Sequence, residues 1–271
     1  MGLEESRPGS ESAAFAGKGG GRFWDVDVVR GIAMVLVATY HFVYDLDFLA
    51  GYPVNAVGMF WGNFADTSAF MFVFLAGLSL ALSHQRARMK VGPEANLFPK
   101  YLRRGLRIFG YGMGITVVFW LLGAGVVIFG ILHMLGASIV LAYPFLRRRW
   151  TNLFFGLSVV AAGAFIQADQ SWFVLPGVWG FLLAPFGVLP AGVYMADYRA
   201  LLPWFGVVLL GLFVGNTFYL RRRDVKPLGQ APRPMRPLAF VGRHTLFIYL
   251  VHQPVIIALL WAFGVVSPGT V

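Results

Sequence analysis

Hydrophobic residues in this chain fall into long runs, not into the alternating or one-sided patterns of a water-soluble fold. Runs near 26–46, 66–83, 101–122, 125–146, 151–167, 201–220 and 242–263 approach or exceed the roughly 18 apolar residues that mark a membrane-spanning helix. The pattern predicts an all-α fold, a polytopic transmembrane helix bundle of about seven full spans. One further apolar stretch, 173–190 (FVLPGVWGFLLAPFGVLP), is interrupted by Pro176, Pro185 and Pro190. Proline removes a helical hydrogen bond and kinks the chain, so this stretch reads as re-entrant or broken. If it crosses completely, the spans number eight. The alternating ten-residue strands of a membrane barrel are absent.

Composition agrees. Of 271 residues 58% are hydrophobic and 13% charged, with a mean hydropathy of +0.70, too apolar a balance for a globular surface. The net charge of +10 is concentrated in Arg86–Lys90, Arg103 with Arg104 and Arg107, Arg147–Arg149 and Arg221–Arg223. In a membrane protein such clusters mark cytoplasmic loops, which displaces nucleic acid as their explanation. Residues 1–22 are rich in Gly, Ser, Ala and Glu and read as a disordered cytoplasmic tail. Residues 23–271 form the membrane domain, a multi-pass protein of the plasma membrane with its N-terminus inside. The loop at 47–65 has no Lys or Arg and falls outside. Trp24 and Trp150 are expected at the inner boundary, and Trp61, Trp120, Trp172, Trp204 and Trp261 at the outer one. With no cysteine, disulfides and thiol catalysis are excluded.

Against this background the first run is unusual. DVVRGIAMVLVATYHFVYDLDF, residues 27–48, carries charges that an apolar helix bears only with a partner or a purpose. Arg30 and His41 are eleven residues apart, within about 20° of three full turns, so both lie on one face about 16 Å apart. Asp27 precedes Arg30 by three residues and Asp45 follows His41 by one turn. The stripe therefore reads Asp27, Arg30, Met34, His41, Asp45. Arg30 either pairs with Asp27 or meets an anionic group; Asp45 is placed to orient the His41 imidazole as a base needs.

Other ionisable residues lie at comparable depth. Asp66 is expected to begin the second span, as an N-cap or as part of the site. His133, in FGILHMLG, has Gly130 and Gly136 beside it, which admit a close neighbour. His252, in IYLVHQP, lies near mid-depth of the last span. His84 and His244 fall near cytoplasmic helix ends, where solvent accounts for them. Gly105, Gly110, Gly112 and Gly114 suggest close helix packing in the third span. No HExxH pair, phosphate-binding glycine loop or GxSxG elbow occurs, so no metal is expected.

RGIAMVLVATYHFVYDL resembles the first helix of the bacterial and archaeal relatives of heparan-α-glucosaminide N-acetyltransferase. The likeness extends to FMFVFLAGLSLALS, RGLRIFGYGMGIT, IFGILHMLGASIVLAYPF, LLPWFGVVLLGLFVGN and GRHTLFIYLVHQP. It implies an acyl-CoA, acetyl-CoA above all, as cytoplasmic donor, and a sugar or glycan acceptor on the far side. By motif match His41 takes the catalytic role and Arg30 a supporting one. The lysosomal enzyme carries its active-site histidine in the loop after the first helix, and this chain has no histidine between Asp47 and Asp66.

The candidate catalytic residues are thus His41, Asp45 and Asp66. Arg30, Arg104, Arg107, His133 and His252 are candidates for binding coenzyme A or substrate, the arginines through its phosphates. The expected partners are the lipid bilayer, acyl-CoA and the acceptor, and the sequence is compatible with a homo-oligomer. A competing reading is a proton-coupled transporter that uses the same buried His and Asp residues as a relay.

Overall fold

The computed structural model describes residues 23–92, 94–121, 127–193, 197–220 and 231–266. The assigned tail at 1–22 and the Arg221–Arg223 cluster lie outside the described residues. Nine α-helices are described: α1 (Trp24–Phe48), α2 (Met59–Val91), α3 (Phe98–Leu121), α4 (Ile131–Leu141), α5 (Arg149–Ala168), α6 (Gly177–Leu183), α7 (Leu201–Val214), α8 (Arg236–Arg243) and α9 (Thr245–Ala262). A π-helical turn, Gly215–Tyr219, extends α7. Among the described residues five helices are long and apolar enough to cross a membrane: α1, α2, α5, α7 with its π turn, and α9. The chain is a helical membrane protein.

Two expected spans take other forms. The 24-residue α3 is long enough at about 36 Å, but it begins with Lys100, Arg103, Arg104 and Arg107. Among the described residues of 125–146, an 11-residue helix and a 3-10 turn at Tyr143–Phe145 form. At about 16 Å, α4 covers half of a roughly 30 Å hydrocarbon core. The 173–190 stretch breaks as its prolines require. It holds the short α6 between Val174–Leu175 and Leu189–Pro190, which pair in parallel as β1 and β2. Because its two ends are hydrogen-bonded together, the stretch returns to where it began. The last run divides at His244 into α8 and α9.

The helices meet through small residues. A β-carbon on Gly77 or Gly211 would collide with a backbone carbonyl of the facing helix, which brings α2 and α7 into backbone contact. Gly31 and Gly242 join α1 to α8 in the same manner. In lipid, where apolar surface gains nothing by leaving its solvent, close backbone packing is a main source of association. Of the α3 glycines, Gly105 abuts Gly136 and Gly112 abuts His133, whereas Gly110 and Gly114 face open space. The outward faces are apolar and bare: α5 buries only Asn152, Gly156 and Gly163 and exposes Phe154, Phe155 and Phe165. The core joins Met34, Phe72, Val73, Met134, Leu135, Trp204, Val208 and Tyr249 from α1, α2, α4, α7 and α9. Trp204, expected at the outer boundary, is therefore a core residue.

Candidate active site

At one end of the bundle seven basic residues gather around a cavity of about 1330 Å³. Arg30, Arg86, Lys90, Lys100, Arg104, Arg107 and Arg243 line it, with Asp27 the sole acid. All three arginines proposed from sequence for the carrier thus share one wall. Arg30 is held firmly. Its Nη1 donates to Asp27 Oδ1 and to the Gly242 carbonyl, both at 3.0 Å, and its Nη2 to Ser79 Oγ. Gly242 lies in the last turn of α8, where the helix dipole favours a cation. The buried Asp27 also forms an ion pair with Arg243, whose Nε lies 3.5 Å from Oδ2, so a carboxylate that lipid would reject sits between two guanidinium groups.

The deep wall of this cavity is apolar and includes Phe72, Leu132 and Leu135. Behind Phe72 the rings form a chain. Phe72 lies 5.6 Å from Tyr249, Tyr249 5.2 Å from His252, and His252 5.0 Å from His41, centre to centre. His252 Nδ1 is 2.6 Å from the Tyr249 carbonyl, which only accepts, so Nδ1 carries the proton. Its Nε2 keeps a free lone pair, buried and unpartnered among the described residues. His41 makes contact through rings, to His252 and to Tyr40.

Asp45 does not hold His41. Buried to 2% exposure, its two oxygens accept from Gln253 Nε2 at 2.8 and 2.9 Å. The amide is thereby fixed, and its Oε1 is left without a partner among the described residues. One turn separates Asp45 from His41 along α1, but the parallel α9 brings a better-placed donor. Asp66 is also not an N-cap. Because α2 starts seven residues earlier, at Met59, Asp66 lies two turns inside it and pairs with Arg199 Nη2 at 3.4 Å. His133 stands apart from the histidine pair. Its Nδ1 accepts from the Gly130 N–H at 3.2 Å and caps α4, while Phe109 and Phe129 enclose the ring.

Sequence reasoning missed four residues here. Gln253 follows His252 directly. Tyr249 donates to Asp197 Oδ2 at 3.3 Å, and that oxygen lies 3.4 Å from the Ile131 N–H. Arg199 lies over the Trp204 ring at 5.2 Å and within electrostatic reach of His41. A signal was present: Asp197 and Arg199 are the only charged residues between 173 and 220. Among the described residues no group of three or more His, Asp or Glu is arranged to hold a metal.

The site thus joins a basic cavity to the His41–His252 imidazole pair through the rings of Phe72 and Tyr249, an arrangement suited to moving a group from an anionic carrier. The family model described as heparan-alpha-glucosaminide N-acetyltransferase, catalytic, matches residues 22–254, from before α1 to just past Gln253. No curated protein and no solved structure matches the chain. With both the basic cavity and the histidine pair inside the matched region, the chain belongs to the heparan-alpha-glucosaminide N-acetyltransferase catalytic family of membrane acetyltransferases.

Proposed function

We propose that this protein takes an acetyl group from acetyl-CoA held in the basic cavity and passes it to a sugar or glycan acceptor arriving from the opposite side of the plasma membrane. The basic end is cytoplasmic and the N-terminus lies inside, by the bias of Lys and Arg toward that face. Arg30, Arg104 and Arg107 hold the nucleotide phosphates, and the pantetheine arm follows the cavity toward Phe72 and the histidines. At the thioester, the acceptor oxygen or nitrogen attacks the carbonyl carbon and its proton moves to the His41 imidazole. The carbon–sulfur bond breaks, and the coenzyme A thiolate leaves and takes up a proton. In a two-step form of the same chemistry, His41 attacks first and carries the acetyl group before passing it on. Asp66 and Arg199 line the acceptor's approach.

The observation that carries this reading is the basic cavity with its seven cations joined to the His41–His252 pair by the ring contacts of Phe72 and Tyr249. Purified protein incubated with radiolabelled acetyl-CoA and an amino sugar tests it. Coenzyme A release with transfer of label, both lost in His41→Ala, is the expected result. Proton-coupled solute flux in liposomes without coenzyme A release would replace it by the transporter reading.

A further inference from the structure

His84 was expected to face solvent at a cytoplasmic helix end, and the fold buries it to 5% exposure. It does not line the large cavity. Instead it lines a second cavity of about 350 Å³ with Arg88, Tyr143, Pro144, Arg147 and Arg148. No acid lines it, and none of its arginines forms an ion pair among the described residues. Arg88 Nε donates to His84 Nε2 at 3.5 Å. With Nε2 accepting, the neutral ring carries its proton on Nδ1, and that buried donor has no partner among the described residues. Arg88, Arg147 and Lys100 all act on this ring electrostatically.

Topology alone asks only for positive charge near the membrane surface. It does not ask for a walled cavity, nor for a buried donor left unpaired, which costs about 1–3 kcal/mol. An anion with several oxygens relieves both the repulsion among the arginines and the orphaned N–H. Trp150 lies close in sequence, with Arg149 stacked on its ring at 4.7 Å, a pairing typical of the headgroup level. We propose that this second cavity is a phosphate-ester site, separate from the carrier cavity and too small for coenzyme A. The phosphate comes from an anionic phospholipid headgroup or from a soluble phosphate ester. Arg88, Arg147 and Arg148 grip the oxygens, and His84 Nδ1 donates from below.

The full-length protein, delipidated in detergent, is titrated with glycerol 3-phosphate by calorimetry. In parallel, native mass spectrometry compares retention of phosphatidylglycerol with that of phosphatidylcholine. Retention of phosphatidylglycerol alone assigns the lipid; saturable glycerol 3-phosphate binding assigns the soluble ester. In either case Arg147→Gln and Arg148→Gln, both exposed and so tolerated by the fold, should weaken binding about tenfold each. Arg103→Gln, exposed and lining neither cavity, should not change it. Binding of neither ligand overturns the proposal. So does an equal loss in Arg103→Gln, because the effect would then be diffuse charge and not a site.

Discussion

At Arg30, α1 carries a full charge ringed by partners; at His41, eleven residues on, it carries a ring packed against the rings of His252 and Tyr40. The first is held by Asp27, Gly242 and Ser79 and opens onto a wide basic cavity. The second lies in a tight, mostly buried polar cluster with His252, whose Nε2 lone pair is unspent. A charge held by several partners is fixed in place: it anchors helices and presents its remaining N–H groups to the cavity. A buried imidazole with an uncommitted nitrogen is poised for proton or group transfer. One helix joins the two, so the distance between carrier and chemistry is built into α1.

The severest way to break this contrast is His41→Ala. Turnover should fall by about 10²- to 10⁴-fold, the range for loss of a positioned base, while the purified protein stays monodisperse. Normal turnover in that variant would remove His41 from the chemistry. Next in size are the arginines. Arg104→Gln should weaken acetyl-CoA binding by about 1.5–3 kcal/mol, the range for a hydrogen bond to a charged group, with little change in Tm. Arg30→Gln should weaken binding similarly and also lower Tm, because Asp27 loses its closest cation. Calorimetry with coenzyme A and with a pantetheine thioester lacking the nucleotide checks this, since the losses should shrink for the shorter ligand.

A smaller effect probes how the histidine end is positioned. Asp45→Asn and Gln253→Ala should each slow turnover by about tenfold, and the double variant should be no worse than either single one, as for residues acting as a unit. Additive losses would show that Asp45 acts on His41 without Gln253. The gentlest probe alters sidedness alone. Single cysteines at Ser171 and Ala191 should react with an impermeant reagent from one side of the membrane, and one at Gln85 from the other. Opposite labelling of Ser171 and Ala191 would mean that the 173–190 stretch crosses.

Much of this was legible in the sequence, and the failures share a cause. Apolar run length gives helices against lipid, and the prolines of 173–190 give its breakage, since both are local effects. The stripe from Asp27 to Asp45 follows from helical periodicity, and the arginine wall draws on the clusters at Arg86–Lys90 and Arg103–Arg107, with Lys100 beside the second. What escaped were partnerships between helices. Asp45 with Gln253, Asp66 with Arg199 and Tyr249 with Asp197 join residues far apart in the chain, and no spacing rule encodes them. The short α4 was misread because composition cannot distinguish a run that crosses from one whose first part folds back as loop.

That short helix has an electrical consequence. Just before α4 the backbone at 127–130 packs beside 197–199, where Phe129 and Ile131 are buried, and the two are tied together where Gly130 pairs with Tyr198 and the Arg199 N–H meets the Phe129 carbonyl. Polar backbone within a membrane is tolerated only where it is buried in protein or lines a wet cavity. Phe72, on the wall of the basic cavity, and Tyr249, hydrogen-bonded to Asp197, link that cavity to this polar backbone through two rings. Membrane voltage drops where the insulator is, at about 2.3 kcal/mol per charge for each 100 mV. Under the proposed function, charge moved between the two sides of these rings would do work against that voltage, so the transfer rate should respond to an imposed membrane potential.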